Sequence, residues 1–503
     1  MDLGLSRGVA QQHPGACLKT GRRGSLLYFF GAFGADLTTQ TSNTSCSLHL
    51  RRGRRRTIPT NRRDFLLTVA GAASAATLSG CTEISDSSAL SLPAPSASQI
   101  DHIIVLMMEN RSFDHLLGWL PGANGKQAGL TYLDNQGEAH PTARLTTFVG
   151  CSHPDPDHTY AGGRSEVDNG KMDGWLRTTT NDSFSIGYYS EQDLPFFSAL
   201  ARNFTTLDNY FSSILSSTTP NRIFQHAAQT DRLSNTSTMS TLPTIWDSLA
   251  AAGVSNKYYF SNVPILSLWG DKYVGISAFL TDFLTDAATG NLPAVSFLDP
   301  RFTLIDNGDG NDDHPHADLR SGEAFLYQIY QAITSGPGWK NTVLIVNRDE
   351  WGGFFDTVAP PRVIAPNNVD TDLVDGRALL GCRVPVVIVS PFTRGKPATP
   401  RINSQLYDHT SVLKFIEWRH SLPPLTSRDA SNEVGNLAEA LNFGQPDYSV
   451  PSLPNVPPPP PTSCVLFELG STVDNESYDL NILLHSNLTA NWPLPEGVFR
   501  KPR

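Results

Sequence analysis

Residues 103–118 read IIVLMMENRSFDHLLG, an apolar run of strand length that delivers the adjacent pair Glu109 and Asn110 into a turn. An ionised carboxylate beside an amide oxygen is half of a hard-cation site. A second apolar run, 343–346, leads into Arg348, Asp349 and Glu350, then Trp351, Gly352 and Gly353. Open α/β sheets collect ligands outside the carboxyl ends of their strands, so two strands ending in acids point to one shared site. Taken singly, each is equally an ordinary solvated turn after a strand.

Working outward, residues 295–298 and 384–389 are further buried-strand candidates, while 322–333 and 411–419 carry helical patterns. Short apolar runs separated by helical or polar stretches predict an α/β protein with a mainly parallel sheet flanked by helices. No internal repeat is visible. The organisation expected is an over-extended N-terminus at 1–60, an export signal at 61–81, a disordered tether at 82–98, a catalytic domain at 99–450, and a Pro-rich linker with a C-terminal strap or small β module at 451–503.

The export signal rests on Asn61, Arg62, Arg63, Asp64 and Phe65 followed by the Ala-rich stretch 68–78. This is a twin-arginine pattern, and its apolar part is about half the roughly 20 residues a spanning helix needs. Leu78, Ser79, Gly80 and Cys81 resemble a lipobox, which predicts lipid anchoring at Cys81 on the periplasmic or outer face; ordinary secretion with Cys81 unmodified is the alternative. Residues 1–80 hold 11 of the 38 Lys and Arg and 3 of the 48 Asp and Glu, leaving 27 basic against 45 acidic residues and a formal charge of −18. Such a surface repels polyanions, which excludes a nucleic-acid binder that relies on phosphate contacts. Beyond Cys81 the cysteines are Cys151, Cys382 and Cys464. Without CxxC spacing they form neither a thiolate zinc site nor a disulfide framework, though one bridge fits an oxidising compartment.

Chemistry needs a nucleophile, and the best candidate lies in Ser216, Ser217, Thr218, Thr219, Pro220, Asn221 and Arg222. A hydroxyl attacks at neutral pH only if a metal or base takes its proton. Pro220 biases Thr219 toward extended geometry, and Arg222 offers a charged fork to phosphate oxygens. Alone, the motif reads as a turn and helix N-cap. His158, His314 and His409 each follow an acid in a loop; a neutral imidazole binds metal, and a protonated one stabilises a phosphoryl oxygen or protonates a leaving alkoxide. Trp175, Tyr258, Tyr259 and Trp269 serve equally as head-group or core aromatics.

Together the stretches MMENRSFDHLLG, DPDH, NGKMDGW, TTPNR, DHPHADLRSGEAF, RDEWGGFFDTVAPP, RVPVVIVSPF and YDHTSVLKFIEWR, spread in order from Ile103 to Arg419, resemble the bacterial phosphoesterase family of phospholipases C and acid phosphatases. The resemblance implies an alkaline-phosphatase-like α/β/α sandwich and a phosphoryl-enzyme mechanism. Carried onto this chain, it makes Glu109, Asn110, Asp349 and Glu350 the metal group, Thr218 the nucleophile with Thr219 as alternate, and His158 and His314 phosphate or leaving-group partners. Departures are His316 where relatives often have proline, Ser216 and Ser217 where Gly-Pro is common, and Arg348, which sets a positive charge beside the proposed metal group. The implied cofactor is a divalent metal ion, and the sequence does not choose among Ca²⁺, Mn²⁺, Mg²⁺ and Zn²⁺. The function expected is hydrolysis of a phospholipid phosphodiester. A broad acid phosphatase acting on small phosphate esters, or a non-catalytic surface lipoprotein, are the alternatives.

Overall fold

His102–Met108 (β1) is buried from Ile103 onward, and apolar residues on both faces are what place it at the centre of a sheet. The other strands, in chain order, are Thr205–Leu207 (β2), Asn256–Phe260 (β3), Ser277–Phe279 (β4), Val295–Leu298 (β5), Thr342–Arg348 (β6), Val386–Val389 (β7) and Arg401–Asn403 (β8). Across the sheet they stand in the order β8, β2, β7, β6, β1, β5, β3, β4. All neighbours pair parallel except β7, which runs antiparallel to both β6 and β2. The strand expected at 384–389 is therefore present from Val386, but reversed.

Ten helices accompany the sheet in the described residues: Phe113–Leu117 (α1), Tyr160–Val167 (α2), Pro195–Asn203 (α3), Thr218–Ala227 (α4), Ile245–Ala251 (α5), Leu280–Thr289 (α6), Leu319–Ser335 (α7), His409–His420 (α8), Ser427–Ala430 (α9) and Asn475–Leu484 (α10). Strand parity sorts the side chains into two cores. Ile103, Val105, Val295, Phe297, Val343 and Ile345 pack with Ile223 of α4, Trp246 of α5 and Phe415 of α8. Ile104, Leu106, Met108, Leu344 and Val346 pack with Leu116 of α1, Phe197 of α3, Phe283 of α6 and Ile329 of α7. Each such side chain stabilises the fold by roughly 1.5–3 kcal/mol relative to exposure, so a three-layer α/β/α sandwich follows from the alternation. Trp175, Tyr258, Tyr259 and Trp269 are all buried in cores.

This computed structural model describes residues 92–304, 310–461 and 475–494, all within the compact unit Ile84–Arg503. The expected extension at 1–60, the signal and lipobox with Arg62, Arg63 and Cys81, the tether up to residue 91, and Cys464 lie outside the described residues. The tether expected to reach Ser98 stops short of it: Leu92 already packs against the first core, and Ser98 is buried after a 3-10 turn at Pro95–Ala97. In the C-terminal strap the described part is helical, not β, and Leu480, Leu483, Leu484 and Trp492 join the first core. Cys151 is disulfide-bonded, whereas Cys382 is free and buried. Among the described residues no helix is long and apolar enough to cross a membrane.

Candidate active site

Parallel register aligns Met108 with Arg348 and Leu106 with Leu298. Glu109 and Asp349, which follow β1 and β6, therefore emerge level with each other at the carboxyl edge, and Asp299, which follows β5, stands level with Met107 on the neighbouring strand. Parity then directs them: they continue the odd-numbered rows of β1, β6 and β5, the rows that face α4. Glu109 and Asp349 are 0 % exposed and Asp299 4 %. Arg222 of α4 binds all three. Its Nη1 donates to Asp299 Oδ1 at 2.9 Å, its Nε to Asp349 Oδ2 at 3.2 Å, and its Nη2 to Glu109 Oε1. Nη2 also reaches the carbonyls of Met107 and Met108. Burial by itself pushes the guanidinium toward neutrality, but Glu109, Asp349 and Asp299 outweigh that and raise its pKa. The fork expected to grip phosphate is thus committed to three carboxylates and neutralises part of their charge.

Thr218 opens α4, with Ser217 as its N-cap. Asn221 stitches the preceding loop to this helix, its Nδ2 donating to the carbonyls of Ile214, Ser216 and Ser217 and its Oδ1 accepting from the Ile214 N–H. Thr218 and Arg222 are four residues apart, so they share one face of the helix. Thr218 Oγ1 accepts from Asn110 Nδ2 at 3.2 Å and donates to Glu109 Oε2 at 3.4 Å. Thr219, expected to be extended, is instead helical. The N–H groups of a first helical turn have no intrahelical partner, so Pro220 costs the helix nothing there. Thr219 is only partly buried, and its N–H donates to Asn235 Oδ1.

Asn110 takes φ 45°, a left-handed conformation that asparagine tolerates. Its N–H donates to Asp349 Oδ1 at 3.0 Å, and its Nδ2 also donates to Glu350 Oε1. Glu350 N donates to Asp349 Oδ1, and Gly352 N to Glu350 Oε2. Gly352, at φ +63°, is required: a Cβ there would stand 2.2 Å from the Asn110 carbonyl oxygen. His409, at the start of α8, donates from Nε2 to the Asp349 carbonyl at 2.6 Å while its Nδ1 lies 3.1 Å from the Tyr210 hydroxyl. Burial pulls its pKa down to about 4. Arg348 points to the opposite face of β6, where it binds Asp313 Oδ2 at 2.7 Å and covers Phe197. The positive charge expected beside the acids is therefore turned away and paired.

The two histidine loops lie against each other. His158 donates from Nδ1 to the Pro156 carbonyl at 2.8 Å, and His314 Nε2 is 3.8 Å from Asp155 Oδ2. Gly353, at φ +68°, brings the loop after Glu350 onto this pair, since a Cβ there would stand 2.6 Å from Pro156 Cβ. His314 is tied to the strand ends through Asp312, whose Oδ1 accepts the His314 N–H and whose carbonyl accepts the Glu109 N–H. His316 lies with its Nε2 3.0 Å from the His153 carbonyl.

Glu109 Oε2, Thr218 Oγ1, the Asn110 amide and Glu350 Oε1 are joined by direct contacts and form an oxygen-rich set that suits a hard divalent ion. An amide can present oxygen where it now presents nitrogen. Asp349 differs, since Asn110, Glu350 and Arg222 all donate to its oxygens. Among the described residues no three His, Cys, Asp or Glu side chains form a ready-made metal cluster. Sequence reasoning missed Asp299. The signal was the rule applied to β1 and β6: an acid directly after a buried run, here 295–298.

In Thr218 a hydroxyl is held between a carboxylate and an amide, at a helix N-terminus and beside the strand ends of an α/β sandwich. Residues 100–423 match the family model described as the Phosphoesterase family, and the chain belongs to that family, as a hydrolase acting on phosphoric ester bonds. It is 30% identical over 461 residues to phospholipase C A of Mycobacterium tuberculosis, an alignment covering 77% of this chain and 86% of that protein. It is 31% identical over 368 residues to non-specific phospholipase C6 of Arabidopsis thaliana, covering 66% and 71%. Among solved structures, a protein in the alkaline phosphatase superfamily from Vibrio parahaemolyticus aligns over 69% of this chain and 74% of that one, at 9% identity and a TM-score of 0.32. The fold assignment rests on the sheet described above.

Proposed function

We propose that the protein is an exported phosphodiesterase of the phospholipase C type that uses Thr218 as nucleophile. The observation carrying this reading is the placement of Thr218 Oγ1 between Glu109 Oε2 and Asn110 Nδ2 at the first residue of α4. Similarity to proteins named phospholipase C supports a phospholipid substrate. Glu109, Asn110 and Glu350, with Asp349 behind them, would hold a divalent ion. When bound, that ion lowers the pKa of a hydroxyl and offsets phosphate charge.

In this mechanism Thr218 Oγ attacks phosphorus and gives its proton to water, while Glu109 Oε2, which it already faces, keeps the attacking oxygen aimed. The bond from phosphorus to the glycerol oxygen breaks, and His158 or His314 supplies the proton the leaving alkoxide needs. Water then cleaves the phosphothreonine, releasing the phosphorylated head group. The N-terminus of α4 favours the negative charge that collects at Thr218. Arg222 keeps the carboxylates from repelling one another, so Glu109 stays oriented throughout. Export is supported by the pattern at 61–81 and by the Cys151 disulfide, which suits an oxidising compartment.

The test pairs nitrophenyl phosphorylcholine with nitrophenyl phosphate on wild type and Thr218→Ala. Preference for the diester, loss of turnover in the variant, and trapped phosphate on the peptide 213–222 are expected. A variant retaining more than about a tenth of wild-type turnover would remove Thr218 from the nucleophile's role. Preference for the monoester would make the protein a phosphatase.

A further inference from the structure

We infer that Asp299 and Tyr258 are positioning residues for the reaction, acting on Glu109 and Thr218 through Arg222. The inference deepens the reading of Thr218 as nucleophile and rests on it. Arg222 has to serve two carboxylates at once: Glu109 through Nη2 and Asp349 through Nε. Held only by these two, the guanidinium can still tilt on its flexible stem about the line that joins them. Asp299 removes that freedom by taking Nη1 from the third side at 2.9 Å. Asp299 is itself fixed, since its Oδ2 accepts the Tyr258 hydroxyl, and the Tyr258 oxygen accepts the Ile265 N–H at 2.8 Å. The ring of Phe302, 4.7 Å from Arg222 Cζ, closes the remaining face.

The consequence falls on Glu109. With Oε1 taken by Arg222, only Oε2 is directed at the Thr218 hydroxyl. A chain of contacts thus runs from the backbone at Ile265, through Tyr258, Asp299, Arg222 and Glu109, to the attacking oxygen. Every residue that lends a side chain to it is at most 4 % exposed. Water cannot substitute for a lost link at such burial, so the geometry depends on each one.

The experiment compares the full chain with its Asp299→Asn, Tyr258→Phe, doubly substituted and Thr218→Ala forms on nitrophenyl phosphorylcholine, measuring kcat, KM and the thermal midpoint. Loss of an outer partner commonly costs about 10- to 100-fold in activity. The expectation is a loss of that size in kcat for Asp299→Asn and a smaller one for Tyr258→Phe, with KM within about threefold of wild type. The double variant should be no slower than Asp299→Asn, because both substitutions release the same guanidinium. A purely structural role would lower the midpoint additively and leave kcat in place, and that result overturns the inference. If Asp299→Asn does not fold, Tyr258→Phe decides, and a kcat within about twofold of wild type overturns it. Turnover by Thr218→Ala would sink the nucleophile assignment and this inference with it. An inactive Thr218→Ala beside unimpaired Asp299→Asn and Tyr258→Phe would sink this inference alone.

Discussion

Gly352→Ala separates a rigid active-site turn from a merely convenient one. The added Cβ would lie 2.2 Å from the Asn110 carbonyl oxygen, whereas real Cβ atoms essentially never come closer than 3.0 Å, so one side must move by about 0.8 Å. Alanine at φ +63° also costs roughly 1–2 kcal/mol on its own account. Adding about 1–3 kcal/mol for the overlap gives a total of about 2–5 kcal/mol, against a typical stability of about 5–15 kcal/mol. Neither partner yields freely. Asn110 is held through its N–H and side chain by Asp349 and Glu350, and Gly352 N is held by Glu350. A displacement near 1 Å at a reacting group costs about 100-fold in rate, so kcat/KM on a nitrophenyl diester should fall by that order as the thermal midpoint drops by several degrees. Gly353→Ala is the control. Its Cβ meets Pro156, so it should disturb the His158 loop and spare the contact between Asn110 and Thr218. A Gly352→Ala protein with kcat/KM within about threefold of wild type and an unchanged midpoint would refute the rigid turn.

Arg222→Ala should destabilise by about 3–5 kcal/mol, because Glu109, Asp299 and Asp349 lose the buried cation they share; denaturant unfolding measures it, and a loss under 1 kcal/mol would mean that water enters and screens the acids. Glu323 is pushed up to about 8 by burial, offset in part by the Phe197 and Phe196 N–H groups it accepts. An acid raised on folding contributes stability that is present below its unfolded pKa and lost as pH rises through the folded value. Thermal stability should therefore decline from about pH 4.5 to about pH 8, and Glu323→Gln should flatten that decline; an identical slope in the variant rules out Glu323 as its source. Cys81→Ala should shift the protein from the membrane to the soluble fraction without changing turnover of a soluble substrate. Wild-type protein already soluble outside the cytoplasm would replace anchoring with secretion.

Local composition was enough to read β1, β5, β6, α7 and α8 from the chain. Strands buried on both faces are continuous apolar runs, and α7 and α8 carry helical patterns at 322–333 and 411–419, although both begin earlier, at Leu319 and His409, where Asp318 and Asp408 cap them. The same logic placed acids at the carboxyl ends of β1 and β6, since a strand that ends in carboxylates ends at solvent or at a site. Three things awaited the tertiary structure. The direction of β7 depends on its neighbours, as an apolar run carries no sign of whether its partner is parallel. The inward aim of Arg222 and the outward aim of Arg348 depend on face: Arg348 lies on the even row of β6 beneath Phe197, whereas Arg222 meets three odd rows from above. Asp299 joins the centre only because β5 lies beside β1 in register. A chain specifies its strands through neighbours in sequence, but the charge around a buried group is a sum over neighbours in space. Both arginines carry the same charge in the sequence, and only packing determines which one the carboxylates meet.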